Sequence, residues 1–547
     1  MLYQFNEFQR MVLSPLRMAA QMQSQVLRSP FNPMAETPQA QTLAAAYELF
    51  AETTQYHGKP AFGISQVEVD GRTVAVTEEN LSRKCFGQLK HFKRDTTRKD
   101  PKLLIVAPMS GHFATLLRGT VETMIKNHDV YITDWRDASN VPLIDGRFDL
   151  DDYIDYVQEF LEFLGPNTHV MAVCQPGVPV LAATALMAEE DNPNIPATVT
   201  LMGSPIDTRR HPTAPCKLAM DHSLDWFEKT VINHVPIGYP GAFRRVYPGF
   251  LQLSGFMSMN LDRHMEAHAR QFDHLVQGDG DSADKHRAFY SEYNAVMDLT
   301  AEYYLQTIET VFQKQALAKG EMMYRGDRLV DTSAISNTAL MTVEGELDDI
   351  SGIGQTVAAH DICNNIPESK KAHYEQKGVG HYGVFNGRRF NSEIAPRISD
   401  FILKHEMGTA APLYLVQKDT EQAGNVKLAP KKVAKKAPPA PKKAPIAKKA
   451  APKKEAPVLK TVKSVSPAVK KVAKSALPAP KKAAMAKKAA PKKEAAVLET
   501  VKPAPPAVQK ASVEKPVAVA PKTAKVEAHK TVAVHKNPAK APAKKKA

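Results

Sequence analysis

The chain reads as an α/β protein on a doubly wound parallel sheet, with a large cap or lid insertion and a disordered basic tail, and three observations predict this. Continuous apolar runs alternate with amphipathic helical stretches from Pro101 onward. The alternation is lost between Pro205 and Ala334 and then resumes. From Asn425 to Ala547 there is no aromatic residue, no glycine and no arginine, and 33 lysines face 5 glutamates. Strands buried on both faces lose the polar–apolar alternation of a half-exposed sheet, so unbroken apolar runs between helices indicate parallel strands covered on both sides.

Residues 1–100 are set apart as an N-terminal helical or extension region. Phe5, Phe8, Met11, Val12, Met18, Met22 and Val26 recur at spacings near three and four, which predicts an amphipathic helix broken around Pro15. Such a helix either packs on the body or offers a methionine-rich face to an apolar particle surface.

Residues 101–410 carry the α/β pattern. LLIVAP (103–108) reads as a strand, followed by the small-residue loop MSGHFATLLRGT and a helix into the strand DVYITDW (129–135). YIDYVQEFLEFLG has helical period and ends on Gly165, and THVMAVCQPGVPVLAATALMA runs from a strand through a tight turn into an apolar helix. The strand ATVTLMGSP leads out of that helix. Residues 205–334, rich in aromatic residues and methionine, read as the cap. TALMTVEGELDD restores the strand pattern, and the loop KGVGHYGVFNG and helix EIAPRISDFILKHEM close the domain.

Residues 425–547 cannot bury enough apolar surface to offset chain entropy and are expected to be disordered. Lys431 to Lys463 recurs 39 residues later as Lys470 to Lys502, with 27 of 33 positions identical, a compositional repeat without a face to stack. The tail carries +28, so the net +14 of the whole chain leaves −14 on residues 1–424: a mildly acidic body with a basic appendage. Lysine, alanine and proline repeats of this kind look like the C-terminal arms of linker histones. They read either as a solubilising extension or as a binder of polyanions such as DNA, polyphosphate or an anionic particle surface, acting through counterion release without reading sequence.

The N-terminus lacks a basic start followed by an apolar run, and no stretch approaches the roughly 18 apolar residues of a membrane span. Four cysteines, Cys85, Cys174, Cys216 and Cys363, are too few for a disulfide framework. These features predict a cytoplasmic body with reduced thiols.

Ester cleavage needs a nucleophile on a strained strand-to-helix turn, a histidine, an acid to orient it and backbone donors for the oxyanion. The chain offers them in the α/β-hydrolase order of nucleophile, acid, histidine. Cys174 sits between the strand VMAV and the helix after QPG, with Ala172 and Pro176 in place of the usual flanking glycines and Gly177 one place later. Asp348, three residues after Gly345, is the preferred acid, and Asp349 is the alternative. His381, among Gly378, Gly380 and Gly383, is the expected base. The oxyanion donors are expected to be the amide of Gln175 and one from the loop Ser110 to Phe113, with Ser110 and Gly111 as candidates. The side chains of Ser110 and His112 read equally well as loop structure.

APMSGHFATLLRGT, VYITDWRDA, VCQPGVPVLAA, LMGSPIDTR, EGELDDISGIGQT and GVGHYGVFNGRRF together closely resemble the intracellular polyhydroxybutyrate depolymerases. The resemblance spans nearly all of residues 1–407 and excludes the tail. It implies a Cys174, Asp348, His381 triad, a thioester acyl-enzyme, release of hydroxybutyrate units, and residence at the surface of polyhydroxybutyrate granules. No cofactor or metal is expected for hydrolysis, although coenzyme A can serve a thioester as acyl acceptor. A polyhydroxyalkanoate synthase also resembles this pattern, but its fuller glycine-cysteine-glycine box is missing at Ala172 and Pro176. A catalytically degenerate granule-tethering protein is the reading from outside enzymology.

Overall fold

The computed structural model describes residues 2–406, and there the apolar runs assemble into a nine-stranded sheet. In chain order the first elements are α1 (Leu2–Leu27), α2 (Pro38–Thr53), β1 (Gln66–Val69), β2 (Arg72–Arg83), β3 (Gly87–Arg94), β4 (Lys102–Val106) and α3 (Arg118–Met124). There follow β5 (Asp129–Trp135), α4 (Leu150–Leu164), β6 (Thr168–Val173), α5 (Gly177–Glu189) and β7 (Thr198–Met202). The cap supplies α6 (Ala214–Asp221), α7 (Leu224–Val231), β8 (Asn233–His234), β9 (Arg245–Tyr247), α8 (Gly249–Met259), α9 (Leu261–Gln277) and α10 (Gly280–Tyr293). It continues with β10 (Leu299–Thr300), α11 (Ala301–Thr307), α12 (Ala316–Lys319), β11 (Met323–Tyr324) and β12 (Arg328–Leu329). The chain then returns to the sheet through β13 (Ala339–Gly345), α13 (Ala359–Ile362), β14 (Lys371–Gln376), α14 (Gly387–Arg389) and α15 (Ala395–Lys404).

The strand order is β1-β2-β3-β5-β4-β6-β7-β13-β14. β5, β4, β6, β7, β13 and β14 pair in parallel, whereas β1, β2 and β3 form an antiparallel end joined through β3 to β5. This is an α/β-hydrolase fold. Its central strands are sealed from water on both faces: Leu103 to Val106, Met171 to Val173 and Val199, Leu201 and Met202 are fully buried. Helices α4 and α5 pack together on the sheet, α4 opening with a capping box in which Asp149 and Asp152 exchange side-chain and backbone hydrogen bonds.

Two sequence readings change. The segment read as an N-terminal extension contributes β1 to β3 to the main sheet, and this escaped detection because β1 and β2 keep solvated positions and β3, though mostly buried, mixes lysine, histidine and arginine with its apolar residues. The N-terminal helix, expected to break at Pro15, runs unbroken through it. A mid-helix proline costs about 3 kcal/mol, but Pro15 is exposed, so water can reach the orphaned Met11 carbonyl. Tertiary anchors hold the helix on either side: Arg10 lies over the Tyr56 ring, Arg17 donates to the Thr54 carbonyl at 2.9 Å, and the Tyr3 hydroxyl donates to Asp298 Oδ2 at 2.8 Å. Burial and the neighbouring Asp137 carboxylate hold Asp298 up at about 7.

The helix does pack on the body, yet through Tyr3, Ala20 and Ser24 and not through its apolar stripe. Phe5, Phe8, Met11, Met18, Met22 and Val26 all remain more than half exposed on the opposite face. Among the described residues no helix is long and apolar enough to cross a membrane. The tail assigned to residues 425–547 lies outside the described residues.

Candidate active site

Adjacent strands β4 and β6 send their chains in opposite directions, β4 toward β5 and β6 toward β7, which opens a crevice at their carboxyl ends. Cys174 stands there, directly after β6. Its φ of 67° is a left-handed conformation that costs a non-glycine residue on the order of 1 kcal/mol, and such strain marks functional turns. Its amide donates to the Met202 carbonyl at 2.7 Å, so the turn is pinned to the end of β7. Gly177 starts α5 where a Cβ would come within 2.4 Å of the Ser204 Cβ, so only glycine lets the helix cross so close to the strand end.

His381 and Asp348 follow β14 and β13, which lie beyond β7 on the same side of the crevice as β6. His381 Nδ1 lies 2.8 Å from Asp348 Oδ2, and both side chains are almost fully buried. Asp348 Oδ1 accepts the amides of Ile350 and Ser351 at 2.9 and 2.8 Å, which fixes the carboxylate plane. With Nδ1 engaged by Asp348, Nε2 is the nitrogen left free, and the Cys174 sulfur lies near enough to the imidazole to favour its charge. Burial alone pushes His381 down, but the Asp348 carboxylate and the Cys174 sulfur outweigh it and hold the histidine well above its ordinary range. Asp349, the alternative acid, instead accepts from Asn260 Nδ2 at 2.8 Å and lines the crevice.

Of the expected oxyanion donors, the amides of Gln175, Ser110 and Gly111 have no acceptor among the described residues. Gly111 takes φ 108°, and a Cβ there would come within 2.5 Å of Gln252 Oε1. His112 joins the loop to the cap: Nε2 meets the Tyr293 carbonyl at 3.0 Å, the ring packs against Phe256 and Tyr293, and burial lowers its pKa to about 4. That neutral, enclosed imidazole is structural.

Three contributors were not picked out from the sequence. Gly203, at φ 57°, passes so close to the histidine–acid pair that a Cβ would sit 3.2 Å from both Asp348 Oδ2 and His381 Cε1. Buried Glu344 accepts the amides of Gly354, Thr356 and Val357 at 3.0, 2.7 and 2.9 Å and so shapes the loop that follows Asp348. Tyr303 of α11 brings a fully buried phenol next to Gln175. A glycine directly after a strand was a readable signal for the first, whereas the other two depend on contacts across the chain.

A cavity of about 390 Å³ opens between α8 to α10 and the His381 loop, walled by Phe256, Met259, Tyr290, Tyr293 and Tyr382. His381 borders it, whereas half-buried Cys174 is not among the residues that line it. The aromatic walls suit an apolar acyl chain, and Arg263, Glu266, Arg270 and Asp349 add charged groups to the same lining.

Residues 203–406 match the family described as PHB de-polymerase C-terminus. A poly(3-hydroxyalkanoate) polymerase subunit, PhaC, of Haloferax mediterranei is 23% identical over 371 residues, covering 63% of this chain and 67% of that protein. Among solved structures, the α/β hydrolase GrgF from Penicillium sp. sh18 aligns at 14% identity and TM-score 0.35, covering 60% of this chain and 99% of the other. A thermophilic esterase from Thermogutta terrifontis aligns at 11% identity and TM-score 0.32, covering 63% and 98%.

Proposed function

Since the chain belongs among the polyhydroxybutyrate- and polyhydroxyalkanoate-related proteins through residues 203–406, we propose that it is a depolymerase that hydrolyses the ester bonds of stored poly(3-hydroxybutyrate), with Cys174 as nucleophile. The observation that carries this reading is the meeting of a strained Cys174, His381 and Asp348 at the sheet crevice. The Cys174 sulfur attacks the ester carbonyl, and the amides of Gln175 and of Ser110 or Gly111 receive the oxyanion. His381, its charge favoured by Asp348, gives its proton to the departing alkoxide as the thioester forms. Water then adds to the thioester while His381 takes its proton, the sulfur departs, and a free hydroxyacid end is released. Polymerisation uses the same thioester and is favoured by the polymerase relative. Release of 3-hydroxybutyrate from amorphous granules, against chain growth from 3-hydroxybutyryl-coenzyme A, decides between them. A tethering protein would do neither.

The exposed stripe of α1 supports work at a polymer surface. Burying an apolar side chain of this size contributes about 1.5–3 kcal/mol. Replacing Phe5, Phe8, Met11 and Met18 together with glutamine is expected to lower hydrolysis of granules at least about tenfold and to leave hydrolysis of a soluble 4-nitrophenyl ester unchanged. Equal granule rates would remove α1 from the interface.

The +28 of residues 425–547 supports a second contact, with polyanions. The full chain is expected to bind random-sequence duplex DNA at low salt, with affinity falling steeply as salt rises, and polyphosphate should compete. A protein ending at Gly424 is expected not to bind; equal retention of DNA by both would contradict a role for the tail.

A further inference from the structure

The backbone amide of Gln175 is assigned to the oxyanion, but its side chain has a separate engagement. Gln175 Oε1 accepts the Met109 amide at 3.0 Å, and Nε2 donates to the Tyr303 hydroxyl. The orientation of the carboxamide is fixed, because a backbone N–H must face the oxygen, which leaves the nitrogen for the phenol. One side chain therefore ties together the nucleophile turn, the loop after β4 and cap helix α11.

Met109 is the residue before Ser110 and Gly111. Its amide, committed to Gln175, is removed from the set of oxyanion donors, and the bond sets how far the next two amides stand from Cys174. The cap holds the other end of this loop: Met297 donates to the Gly111 carbonyl at 2.7 Å, and Gln252 fills the space beside Gly111. Tyr303 itself is rigid, stacked on Tyr153 at 5.7 Å and 14° and packed against Phe148 at 5.8 Å. Tyr153 is held in turn by its hydroxyl, which donates to the Ala107 carbonyl at 3.0 Å at the root of the same loop. The donor loop is thus held by the nucleophile turn at Met109 and by the cap at Gly111, while α4 and β5 fix its root at Ala107.

We propose that Gln175 and Tyr303 are positioning residues, a clamp that brings the oxyanion donors into register with Cys174 when the α11 region of the cap is seated. This rests on the ester-cleavage reading above. The clamp acts on the tetrahedral state and not on the sulfur, so it separates acylation rate from nucleophile reactivity.

The test uses the full chain with Gln175→Met, which keeps the side-chain length and removes both hydrogen bonds, and Tyr303→Phe, which removes one oxygen. Three quantities are measured: kcat and KM on 4-nitrophenyl butyrate, the rate of iodoacetamide alkylation followed on the Cys174 peptide by mass spectrometry, and the thermal midpoint. Misplacing reacting groups by about 1 Å costs about 100-fold. Gln175→Met is expected to lose about that much in kcat and Tyr303→Phe about tenfold, each with KM and alkylation rate within about threefold of the parent. Unchanged kcat in both variants overturns the clamp, as does alkylation that falls in step with kcat, which would place the effect on the nucleophile or the fold. Failure of the underlying reading looks different: the unsubstituted chain would keep its activity after complete alkylation of Cys174.

Discussion

Cys174→Ala is expected to lower release of 3-hydroxybutyrate from amorphous polymer by on the order of 10⁴-fold, leaving only what binding and the oxyanion donors supply. The loss is chemical and not structural. Cys174 is half-buried, its φ of 67° is set by the pinned turn, and the sheet below it rests on Met171 to Val173 and their neighbours. Alanine fits that turn with one atom fewer, so far-ultraviolet circular dichroism and the thermal midpoint should stay near those of the parent. Serine is the more searching substitution. An alkoxide is far harder to generate than a thiolate, and a histidine held in its charged form by Asp348 is a poor base for a hydroxyl, so Cys174→Ser should recover little of the activity.

Asp348→Asn is expected to reduce kcat on the order of 10³-fold and to move the alkaline limb of the pH profile downward. The sign follows from the forces on His381. Burial disfavours the imidazolium, and Asp348 and Cys174 reverse that, so the parent keeps its general-acid proton well above pH 6.5 and loses activity only as pH rises past the raised value. Without the carboxylate, burial acts with less opposition, the pKa falls, and the proton is gone at lower pH. The variant should therefore be more impaired at pH 8 than at pH 6. A parallel profile, scaled down but unshifted, would show that Asp348 orients the ring without charging it. Asp349→Asn is expected to leave the limb in place, because its side chain faces Asn260 and the cavity.

Much of this site was legible in the sequence for a simple reason. A parallel sheet places every strand end at one edge, so a cysteine after VMAV, an acid after VEGEL and a histidine in a glycine-rich loop before the last helices had to come together once the strands were recognised. Choosing Asp348 over Asp349 followed from counting residues after Gly345, and the structure distinguishes them by their partners. What escaped depends on packing across long separations. β1 to β3 form the antiparallel end of the sheet and carry polar and charged residues in place of the apolar runs of the core. Pro15 reads as a helix breaker, but its cost is local while the anchors at Tyr3, Arg10 and Arg17 are tertiary. The apolar spacing of α1 was legible as a stripe, yet nothing in its period says which way the stripe faces, and it faces outward. Gln175 was singled out for its amide, and its side-chain bonds to Met109 and Tyr303 appear only once the cap is folded onto the sheet.

The most direct test of the central claim is to mix the protein with amorphous 3-hydroxybutyrate polymer, quench with acid within the first turnovers, and read the peptide that contains Cys174 by mass spectrometry. Hydrolysis through a cysteine thioester predicts hydroxybutyryl units on Cys174 that are lost when the quench is delayed, with free hydroxyacid appearing in step. An adduct on another residue, or hydroxyacid released with Cys174 unmodified at every time, would contradict it.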